Sequence, residues 1–391
     1  MSGPDPAVAA VRVAVRHALT DLTDLANRPA HPTGWAAHPG GGPADPAGWD
    51  AHPTDWDADP RGRAANAAGG RVGPPAAVLV ACSGGPDSVA LAAATAVEAA
   101  RLGVPAGLVT VDHGLQAGSA ERAEAVAELG RRLRLDPVLQ REARVGTAGG
   151  PEAAARAARY AALREASAAA GGAYLLLGHT LDDQAETVLL GLGRGSGPRS
   201  VCGMRVVDPP WLRPLLGIRR ATTAAACAAE GLPVWADPHN TDPRFTRSRL
   251  RHEVLPLLEQ VLQGGVAEAL ARTAGLLQAD LDALDAAADR LLAALTSAPE
   301  QGDPEQGDPE REGHSSLDAT ALAKSPAALR GRVLRGWLRA AGVGAPTSAH
   351  LLPLDALVTG WRGQGPVALP GGLAVSRRHG RLHLDRPRAQ P

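Results

Sequence analysis

The sequence predicts an α/β domain built on a parallel sheet, followed by a smaller helical domain that ends in a β element. Three apolar runs, AAVLVAC (76–82), AGLVTVDHG (106–114) and AYLLLGH (173–179), each precede polar residues and then a helical segment. Strands that alternate with helices in this way are typical of βαβ units. Beyond Pro256 the apolar residues recur mainly at helical spacing, which indicates the second domain.

Composition limits the class of protein. Hydrophobic residues make up 45% of the 391 residues but aromatic residues only 3%, so Ala, Val and Leu must fill the core. The 40 basic and 41 acidic residues nearly cancel, so any surface that attracts nucleic acid must be local. Three cysteines, Cys82, Cys202 and Cys227, form no CxxC pair and predict no disulfide framework. Without a signal core or a membrane-spanning stretch, we expect a cytoplasmic protein with no membrane partner.

Four segments follow from shifts in composition along the chain. The region between the first helix and the first strand is rich in Pro, Gly and Trp and cannot bury a continuous apolar face. We therefore predict an N-terminal helix that packs on the body (1–28), a disordered insert (29–74), the sheet domain (75–256), and a helical domain (257–391) with an acidic loop (298–316) and a basic C-terminal hairpin.

The turn SGGPDS, from Ser83 to Ser88, follows the first predicted strand and opens an alanine-rich helix. Unpaired backbone N–H groups and the helix dipole converge at such a point, which suits phosphate. Alternatively, its Ser and Asp side chains merely cap the helix. The turn lacks the GK[ST] ending of a Walker loop. It resembles the turn of the PP-loop ATP pyrophosphatases, which cleave ATP to AMP and pyrophosphate while adenylating a substrate.

That resemblance implies an ATP site. The backbone of the glycines and the hydroxyls of the serines would hold the pyrophosphate portion, while Asp87 would reach Mg²⁺. The residues implied in nucleotide binding are those of the turn together with a histidine after the third strand: Ser83, Gly84, Gly85, Pro86, Asp87, Ser88 and His179.

Carboxylates follow the other two strands. VDHGLQ places Asp112 at the end of the second strand, where a capping turn is the simpler interpretation. GHTLDDQAET (178–187) places Asp182, Asp183 and Glu186 on adjacent parts of one helical face. Clustered carboxylates repel one another unless a cation or an ammonium group lies between them. Taken alone, however, acids in a first helical turn are better explained by the helix dipole.

Both motifs resemble the tRNA(Ile)-lysidine synthetase branch of the PP-loop proteins, through DHGL and LGHTLDDQAET. The resemblance implies that Asp112 helps to position nucleotide or metal and that Asp183 and Glu186 receive an incoming lysine. It places His179 nearest the nucleotide.

Two arginine-bearing segments extend the resemblance. PEAAARAARY (151–160) matches a run whose arginines lie near the reacting cytidine and phosphates in the family, which implies Arg159 and, more weakly, Arg156. DPHNTDPRFTRSRLRHEVLP (237–256) resembles the family's closing motif and places Arg244, Arg247 and Arg251 on one predicted helical face. Such a stripe is usually solvated, but it can pair with phosphate. His239 and Ser248 replace the family's usual serine and asparagine, which leaves the role of this loop open.

The resemblance covers roughly residues 76–256 and implies a two-step reaction. ATP adenylates the C2 oxygen of the wobble cytidine in tRNA(Ile) with a CAU anticodon, and the ε-amine of L-lysine then displaces AMP to give lysidine. The implied catalytic residues are Asp87, Asp112, Asp183, Glu186 and Arg159. ATP and Mg²⁺ are the implied cofactors, and the oligomeric state stays open.

Contacts with tRNA must extend beyond the ATP pocket, because chemistry on a base requires the nucleotide to be splayed out. The tail SRRHGRLH (376–383) offers a local phosphate footprint through Arg377, Arg378 and Arg381.

Two alternatives remain open from sequence. Thiolation of tRNA by another PP-loop branch fits poorly, because those enzymes typically need paired cysteines. A nucleotide-binding module without catalysis predicts a damaged carboxylate set, whereas Asp87, Asp182, Asp183 and Glu186 are all present.

Overall fold

The computed structural model describes residues 3–27, 77–112, 114, 118–143, 146, 151–195, 197–235, 242–296, 316–344 and 346–385. The predicted insert 29–74 and residues 298–315 of the predicted acidic loop lie outside the described residues. The described chain forms two compact units, which divide between Gln278 and Ala279. This division lies inside a long helix, whereas the sequence placed the domain boundary at residue 256.

The first unit alternates helices and strands. Its elements are α1 (Pro6–Asn27), β1 (Val78–Ala81), α2 (Pro86–Leu102), β2 (Ala106–Asp112), α3 (Ser119–Arg132), β3 (Val138–Glu142), α4 (Pro151–Ala169), β4 (Tyr174–Leu177), α5 (Leu181–Arg194), α6 (Pro198–Val201), β5 (Val207–Asp208), β6 (Trp211–Leu212), α7 (Arg220–Ala229), α8 (Thr246–Arg249), a π-helical turn (Leu250–Val254) and α9 (Leu255–Val261). Helix α10 (Val266–Thr296) contributes its residues up to Gln278 to this unit and the rest to the second.

The strands of the first unit form one sheet, in the order β3–β2–β1–β4–β6–β5 among the described residues. All neighbouring strands are parallel except β5, which is antiparallel to β6. The middle strands are buried, which explains their continuous apolar sequence: Val80 lies opposite both Leu108 and Leu176, and all three are fully buried. The predicted α/β class is confirmed, with the difference that the sheet is mostly and not wholly parallel, because β5 runs antiparallel at one edge.

Three strands were not predicted. β3 has the sequence VLQRE and only partly buried or exposed residues, so it lacks the apolar run that marks β1. β5 and β6 have two residues each, too few to show a period. β3 lies at an edge of the sheet, where burial and therefore the hydrophobic signal are weak, whereas β6 is buried but too short to be recognised.

The second unit combines helices with a small antiparallel sheet. Its further elements are β7 (Ser316–Asp318), α11 (Ala319–Leu322), α12 (Ala327–Ala340), α13 (Ser348–Thr359), β8 (Val367–Leu369), β9 (Leu373–Arg378) and β10 (Arg381–Asp385). The predicted C-terminal hairpin is β9–β10, and it belongs to a sheet of order β7–β10–β9–β8. Trp337, Val375 and Leu382 are buried in its core.

In α10, buried residues recur at every seventh position, as Ala267, Ala274, Leu281, Ala288 and Leu295. Leu270, Leu277, Leu284 and Leu291 recur with the same seven-residue spacing beside them and are only partly buried. None of the described helices is long and apolar enough to span a membrane. All three cysteines are buried, and none of them forms a disulfide.

Helix α1 is attached to α2 through a buried carboxylate. Glu98 on α2 is fully buried, and its two oxygens accept hydrogen bonds from Arg12 Nε and Arg16 Nε, each at 2.7 Å. The hydrogen bond from Arg16 is the main cause that lowers the pKa of Glu98 from 4.5 to about 2. A carboxylate with a lowered pKa stabilises the fold above its unfolded pKa and loses that contribution as the pH falls.

We expect Glu98→Gln to lower the free energy of unfolding by about 1–3 kcal/mol at pH 7, because two hydrogen bonds between charged groups are weakened. The difference from the wild type should shrink between pH 4.5 and about 2, where the wild-type carboxylate takes up its proton. Urea unfolding at pH 7 and pH 3 measures both effects. Glu124→Gln, in an exposed pair with Arg131, is the control and should cost less than about 1 kcal/mol. An equal loss in the free energy of unfolding for Glu98→Gln and the control would show that the buried pairing of Glu98 with Arg12 and Arg16 contributes no more than an exposed ion pair.

Candidate active site

The Ser83–Ser88 turn lies between β1 and α2 at the carboxyl edge of the sheet. Gly84 has φ of +88°, and a Cβ there would meet Val126 Cγ2 at 3.1 Å, so the position requires glycine. Ser88 Oγ donates to the carbonyl of Gly85 at 2.9 Å and accepts the N–H of Ser83 at 3.2 Å. No side chain among the described residues caps the N-terminus of α2. The turn is therefore braced from within and leaves the helix N-terminus to an anion.

Two other segments fix this turn. Gly178, directly after β4, comes so close that a Cβ would lie 3.1 Å from the carbonyl group of Asp87 and from the nitrogen of Ser88. The N–H of Trp235 donates to the carbonyl of Gly84 at 2.9 Å, and the guanidinium carbon of Arg122 lies 3.6 Å from the centre of the Trp235 ring. The turn is thus held from both sides.

The carboxylates of α5 converge on shared arginines. Thr180 is the N-cap residue, and Asp183 Oδ2 accepts hydrogen bonds from its N–H and its Oγ1, both at 2.8 Å. Asp183 Oδ1 accepts from Arg220 Nη2 at 2.6 Å. One turn later, the fully buried Glu186 accepts from Arg251 Nε at 2.8 Å. The spacing of three residues predicted that Asp183 and Glu186 share a face, and their contacts agree.

Asp182 has a different task from its neighbour. Its Oδ2 accepts the backbone N–H of Arg220 at 2.8 Å, and its Oδ1 accepts from Arg219 Nη1 at 3.1 Å. Asp182 therefore caps the N-terminus of α7 from another helix. Asp182 and Glu186, four residues apart on α5, contact the neighbouring arginines Arg219 and Arg220, as expected for adjacent parts of one face; Asp182 differs in that it also satisfies an N–H group of α7.

Arg220 joins the two halves of the site, and the sequence analysis missed it. Its guanidinium lies 2.6 Å from Asp183, 3.4 Å from Asp87 and 3.6 Å from Glu186. Asp87 also accepts a short hydrogen bond from Thr223 Oγ1. One signal was available: Arg219 and Arg220 stand at the start of a helix, where the dipole disfavours cations, so acidic partners were to be expected.

Burial and the arginines set the protonation of this cluster. Burial alone would raise the pKa of Asp183, but the charge of Arg220 outweighs it and lowers that pKa to about 2. Burial raises the pKa of Glu186 and of Asp87, in both cases aided by the charge of Asp183. Burial would lower the pKa of Arg220, but the carboxylates of Asp183, Glu186 and Asp87 raise it instead. Asp183 is consequently the most strongly ionised member.

The predicted arginines of α4 and α8 lie in a second, positively charged group. Arg156 Nη2 donates to the hydroxyl of Tyr160 at 3.1 Å, and Arg247 Nη2 donates to Thr187 Oγ1 at 3.3 Å. Burial lowers the pKa of Arg159, and burial followed by the charge of Arg156 lowers that of Arg247. An excess of partly buried positive charge favours an anion at this point.

His179 follows β4 and faces that positive group. Burial and then the charge of Arg213 lower the pKa of His179 well below its ordinary value, so the imidazole is neutral. Its Nδ1 is buried and has no hydrogen-bond partner among the described residues. Arg213, at the end of β6, is almost fully buried and pairs with Asp208 at 3.6 Å.

The remaining predicted residues lie apart from the acid cluster or outside the described part. Asp112 Oδ1 accepts the N–H of Gly114 at 2.9 Å, as in the capping turn that the sequence left open. Arg244 does not share a helical face with Arg247 and Arg251, because it precedes α8 and pairs with Asp242 in an exposed turn. Ser248 is buried in α8, and His239 is not among the described residues.

The three arginines of the C-terminal tail are all bonded within the second unit. Arg377 Nη1 donates to the carbonyls of Leu357 and Val358 near the end of α13, at 2.7 and 3.0 Å. Arg378 pairs with Asp385, and Arg381 donates to Ser316 Oγ at 2.9 Å and to the carbonyl of Leu295 at 3.3 Å. Each guanidinium therefore has a structural role.

Two different family models match the N-terminal and the C-terminal part of the chain. The PP-loop domain model matches residues 66–258, and the TilS substrate binding domain model matches residues 317–383. A tRNA(Ile)-lysidine synthase of Thermobifida fusca is 49% identical over 384 residues, 98% of each chain. One of Streptomyces coelicolor is 54% identical over 310 residues, 78% of this chain and 84% of that one. A solved U34-tRNA thiolase of Methanococcus maripaludis aligns with 52% of this chain and 73% of its own, at 17% identity and a TM-score of 0.43.

We expect Arg220→Met to lower the free energy of unfolding by about 3 kcal/mol, because it leaves three partly or fully buried carboxylates without their shared counter-charge. The loss should be larger at pH 8 than at pH 5, since the carboxylates repel most when all are ionised. Urea unfolding at the two pH values measures it. Arg249→Met, in an exposed pair with Glu253, is the matched control and should cost less than about 1 kcal/mol. A pH-independent loss equal to that of the control would contradict the role of Arg220.

Proposed function

The chain belongs to the tRNA(Ile)-lysidine synthase family, and from that premise we propose that it uses ATP to join L-lysine to the wobble cytidine of tRNA(Ile) with a CAU anticodon. The products are lysidine, AMP and pyrophosphate. An enzyme that acts on tRNA in this way would work in the cytoplasm.

One observation carries the proposal beyond the family. Asp87, on the phosphate-binding turn, and the Asp183–Glu186 pair on α5 contact the same guanidinium, that of Arg220. The place for a phosphate and the place for an amine are therefore within the span of one side chain. A two-step reaction in which an amine attacks a freshly adenylated atom needs this proximity.

In the first step, the C2 oxygen of cytidine attacks the α-phosphorus of ATP, and the bond to the bridging oxygen of pyrophosphate breaks. The N–H groups at the start of α2, including those beside Gly84 and Gly85, would bind the pyrophosphate portion, with the hydroxyls of Ser83 and Ser88 bracing the turn. Arg156, Arg159 and Arg247 supply the positive charge that the phosphates require.

Mg²⁺ usually binds to one or two carboxylates together with the phosphates of its nucleotide. Asp87 fits this mode as a single carboxylate beside the turn, and no group of three or more potential ligands occurs among the described residues. The bound ion would neutralise developing phosphate charge.

In the second step, the ε-nitrogen of lysine attacks C2, the C2–oxygen bond breaks and AMP leaves. The nucleophile must first lose a proton, because the ε-amine of free lysine is protonated to an ammonium group at neutral pH. Asp183, which stays ionised, would hold the ammonium, and Glu186, whose pKa burial raises, is suited to accept the proton.

For the tRNA, we propose that the unit containing residues 317–383 contributes contacts beyond the reacting nucleotide. Arg378 is 52% exposed and can reach a phosphate while it braces β9 against Asp385. Arg377 supports the same surface from the end of α13.

The direct test is the transfer of labelled lysine into a CAU-anticodon tRNA(Ile) transcript with ATP and Mg²⁺. We expect lysine to enter this transcript and not a CAU-anticodon tRNA(Met), which shares the anticodon. Asp183→Asn should retain pyrophosphate release but lose lysine transfer. Transfer into both transcripts would contradict the specificity, and pyrophosphate release without any lysine transfer by the wild type would contradict the choice of nucleophile.

Asp87→Asn tests the metal assignment. The amide keeps its neighbours Thr223 and Arg220 but removes the negative charge, so the variant should fold while its pyrophosphate release falls by at least about tenfold. Raising the Mg²⁺ concentration should recover part of the rate. Unchanged release, measured at saturating ATP, would remove Asp87 from the metal site.

A further inference from the structure

The second unit holds an exposed tryptophan, between α13 and β8. The chain has only seven tryptophans, two tyrosines and one phenylalanine, and Trp361 is the only exposed one among the aromatic residues that the structure describes. Trp361 is 40% exposed, whereas Trp211 and Trp337 are almost fully buried. Single apolar residues are common on protein surfaces, so what matters is how this ring is held and what surrounds it.

The backbone on both sides of Trp361 is fixed by one side chain. Gln364 Nε2 donates to the carbonyl of Gly360 at 2.8 Å, and Gln364 Oε1 accepts the N–H of Arg362 at 2.6 Å. Gly360 is the C-cap residue of α13, so the turn starts directly at the helix end. We call residues 360–364 the Trp361 turn. Because this exposed turn is already ordered by its own side chain, it loses little conformational entropy when it binds a partner.

Arg377 on β9 holds a positive charge beside the ring. Its guanidinium carbon lies 5.9 Å from the centre of the Trp361 ring. Its Nη1 donates to the carbonyls of Leu357 and Val358 at 2.7 and 3.0 Å, which fixes the guanidinium at the end of α13. An indole ring attracts a cation at such a distance. Arg377 therefore steadies the ring and keeps a positive charge next to its exposed part.

The chain around the Trp361 turn is basic. None of the residues 356–384 is acidic, whereas four of them are arginines: Arg362, Arg377, Arg378 and Arg381. The acids that flank this stretch, Asp355 and Asp385, are paired with Arg330 and Arg378. An aromatic ring within a basic surface suits a single-stranded nucleic acid, because phosphates meet the arginines while a base stacks on the ring.

We propose that Trp361 stacks on an unpaired base of the tRNA, and that the exposed Arg362 beside it binds a neighbouring phosphate. The proposal rests on the proposed function and adds to it a residue that recognises a nucleotide by its flat face and not by charge. The TilS substrate binding domain model covers this turn, since it matches residues 317–383. Bases inside an RNA helix are stacked on one another, so the ring selects a single-stranded part of the tRNA.

Two substitutions at one position separate stacking from apolar packing. Trp361→Leu keeps an apolar side chain without an aromatic face, and Trp361→Phe keeps a smaller aromatic face. Leu352→Ala, at a 71% exposed position of α13, is the matched control for the loss of exposed apolar surface. The experiment uses the full chain and measures kcat for lysine transfer, KM for a CAU-anticodon tRNA(Ile) transcript and KM for ATP.

We expect Trp361→Leu to raise KM for the tRNA at least about fivefold, which is the lower end of the effect of removing one base-stacking ring. Trp361→Phe should raise it less. The effect should fall on KM for the tRNA and not on kcat or on KM for ATP, because stacking acts on tRNA binding. Leu352→Ala should change none of these constants. If KM for the tRNA does not change, or if the leucine and phenylalanine variants are equally impaired, the stacking assignment is wrong.

Tryptophan emission provides a readout that does not depend on catalysis. Stacking on a base quenches indole emission, so the emission of the wild type should fall when the tRNA transcript is added. Trp361→Phe should lose that part of the decrease. A single-stranded RNA oligonucleotide should reproduce the quenching, and a fully paired duplex of the same strand should not. Equal quenching by the duplex, or the same decrease in Trp361→Phe, would contradict the proposal.

The phosphate contact is tested through the salt dependence of tRNA binding. Arg362→Gln should weaken binding and reduce the slope of log Kd against log salt concentration by about one, because one phosphate is no longer neutralised. Trp361→Leu should weaken binding without a change in this slope. If both variants reduce the slope, the ring acts only by supporting the arginines and does not stack.

Lysine transfer by the wild type keeps the two proposals apart. If the wild type transfers no lysine at any tRNA concentration, the proposed function fails. If it transfers lysine and KM for the tRNA or the emission behaves otherwise than expected, only the stacking assignment fails. Should Trp361→Leu fold poorly, Trp361→Phe and the comparison of single strand with duplex in the wild type still decide.

Discussion

The guanidinium of Arg220 is the group on which the site depends, because it neutralises carboxylates from two different strand ends. Asp87 follows β1, while Asp183 and Glu186 follow β4, and the adjacency of these parallel strands brings their side chains to one edge. Without a shared cation, three acids in a partly buried place would repel one another. The fold therefore tolerates an acidic site because α7 delivers Arg220, which reaches all three acids, and Arg251 adds a second positive charge beside Asp183 and Glu186.

The same arrangement has a consequence for ligand binding. The carboxylates that would receive an amine are already paired with Arg220 and Arg251, so an incoming ammonium exchanges one ion pair for another and does not fill an empty site. Such an exchange costs less than desolvating bare charges, since the site is already preorganised. Selectivity must then come from the parts of the ligand that lie outside this exchange of ion pairs.

Much of this architecture could be predicted from the sequence. The contacts that could not be predicted depend on residues far apart in the chain or on the choice among several possible partners. Buried strands such as β1 show continuous apolar runs, and the Asp183–Glu186 spacing fixes a common face. Arg220 escaped because its partners are 34, 37 and 133 residues away, a relation that no local period encodes. The capping role of Asp182 escaped prediction because spacing alone does not tell which N–H group a carboxylate will cap. The tail arginines looked like a free basic patch, although each is bonded to the carbonyls, hydroxyls or carboxylates of its own unit.

The π-helical turn after α8 explains how one short segment contacts both the acid cluster and the positively charged group of arginines. Between Leu250 and Val254 the backbone widens to a π-helical turn, in which the N–H of Leu255 donates to the carbonyl of Leu250. Arg247, before the turn, contacts Thr187, whereas Arg251, inside it, contacts Glu186, and Arg249 between them pairs outward with Glu253. An extra residue in a helical turn rotates the side chains that follow it, and such turns recur at functional sites. The turn thus directs Arg251 to the acid cluster while Arg247 stays with the positively charged group, so one continuous stretch of backbone serves both.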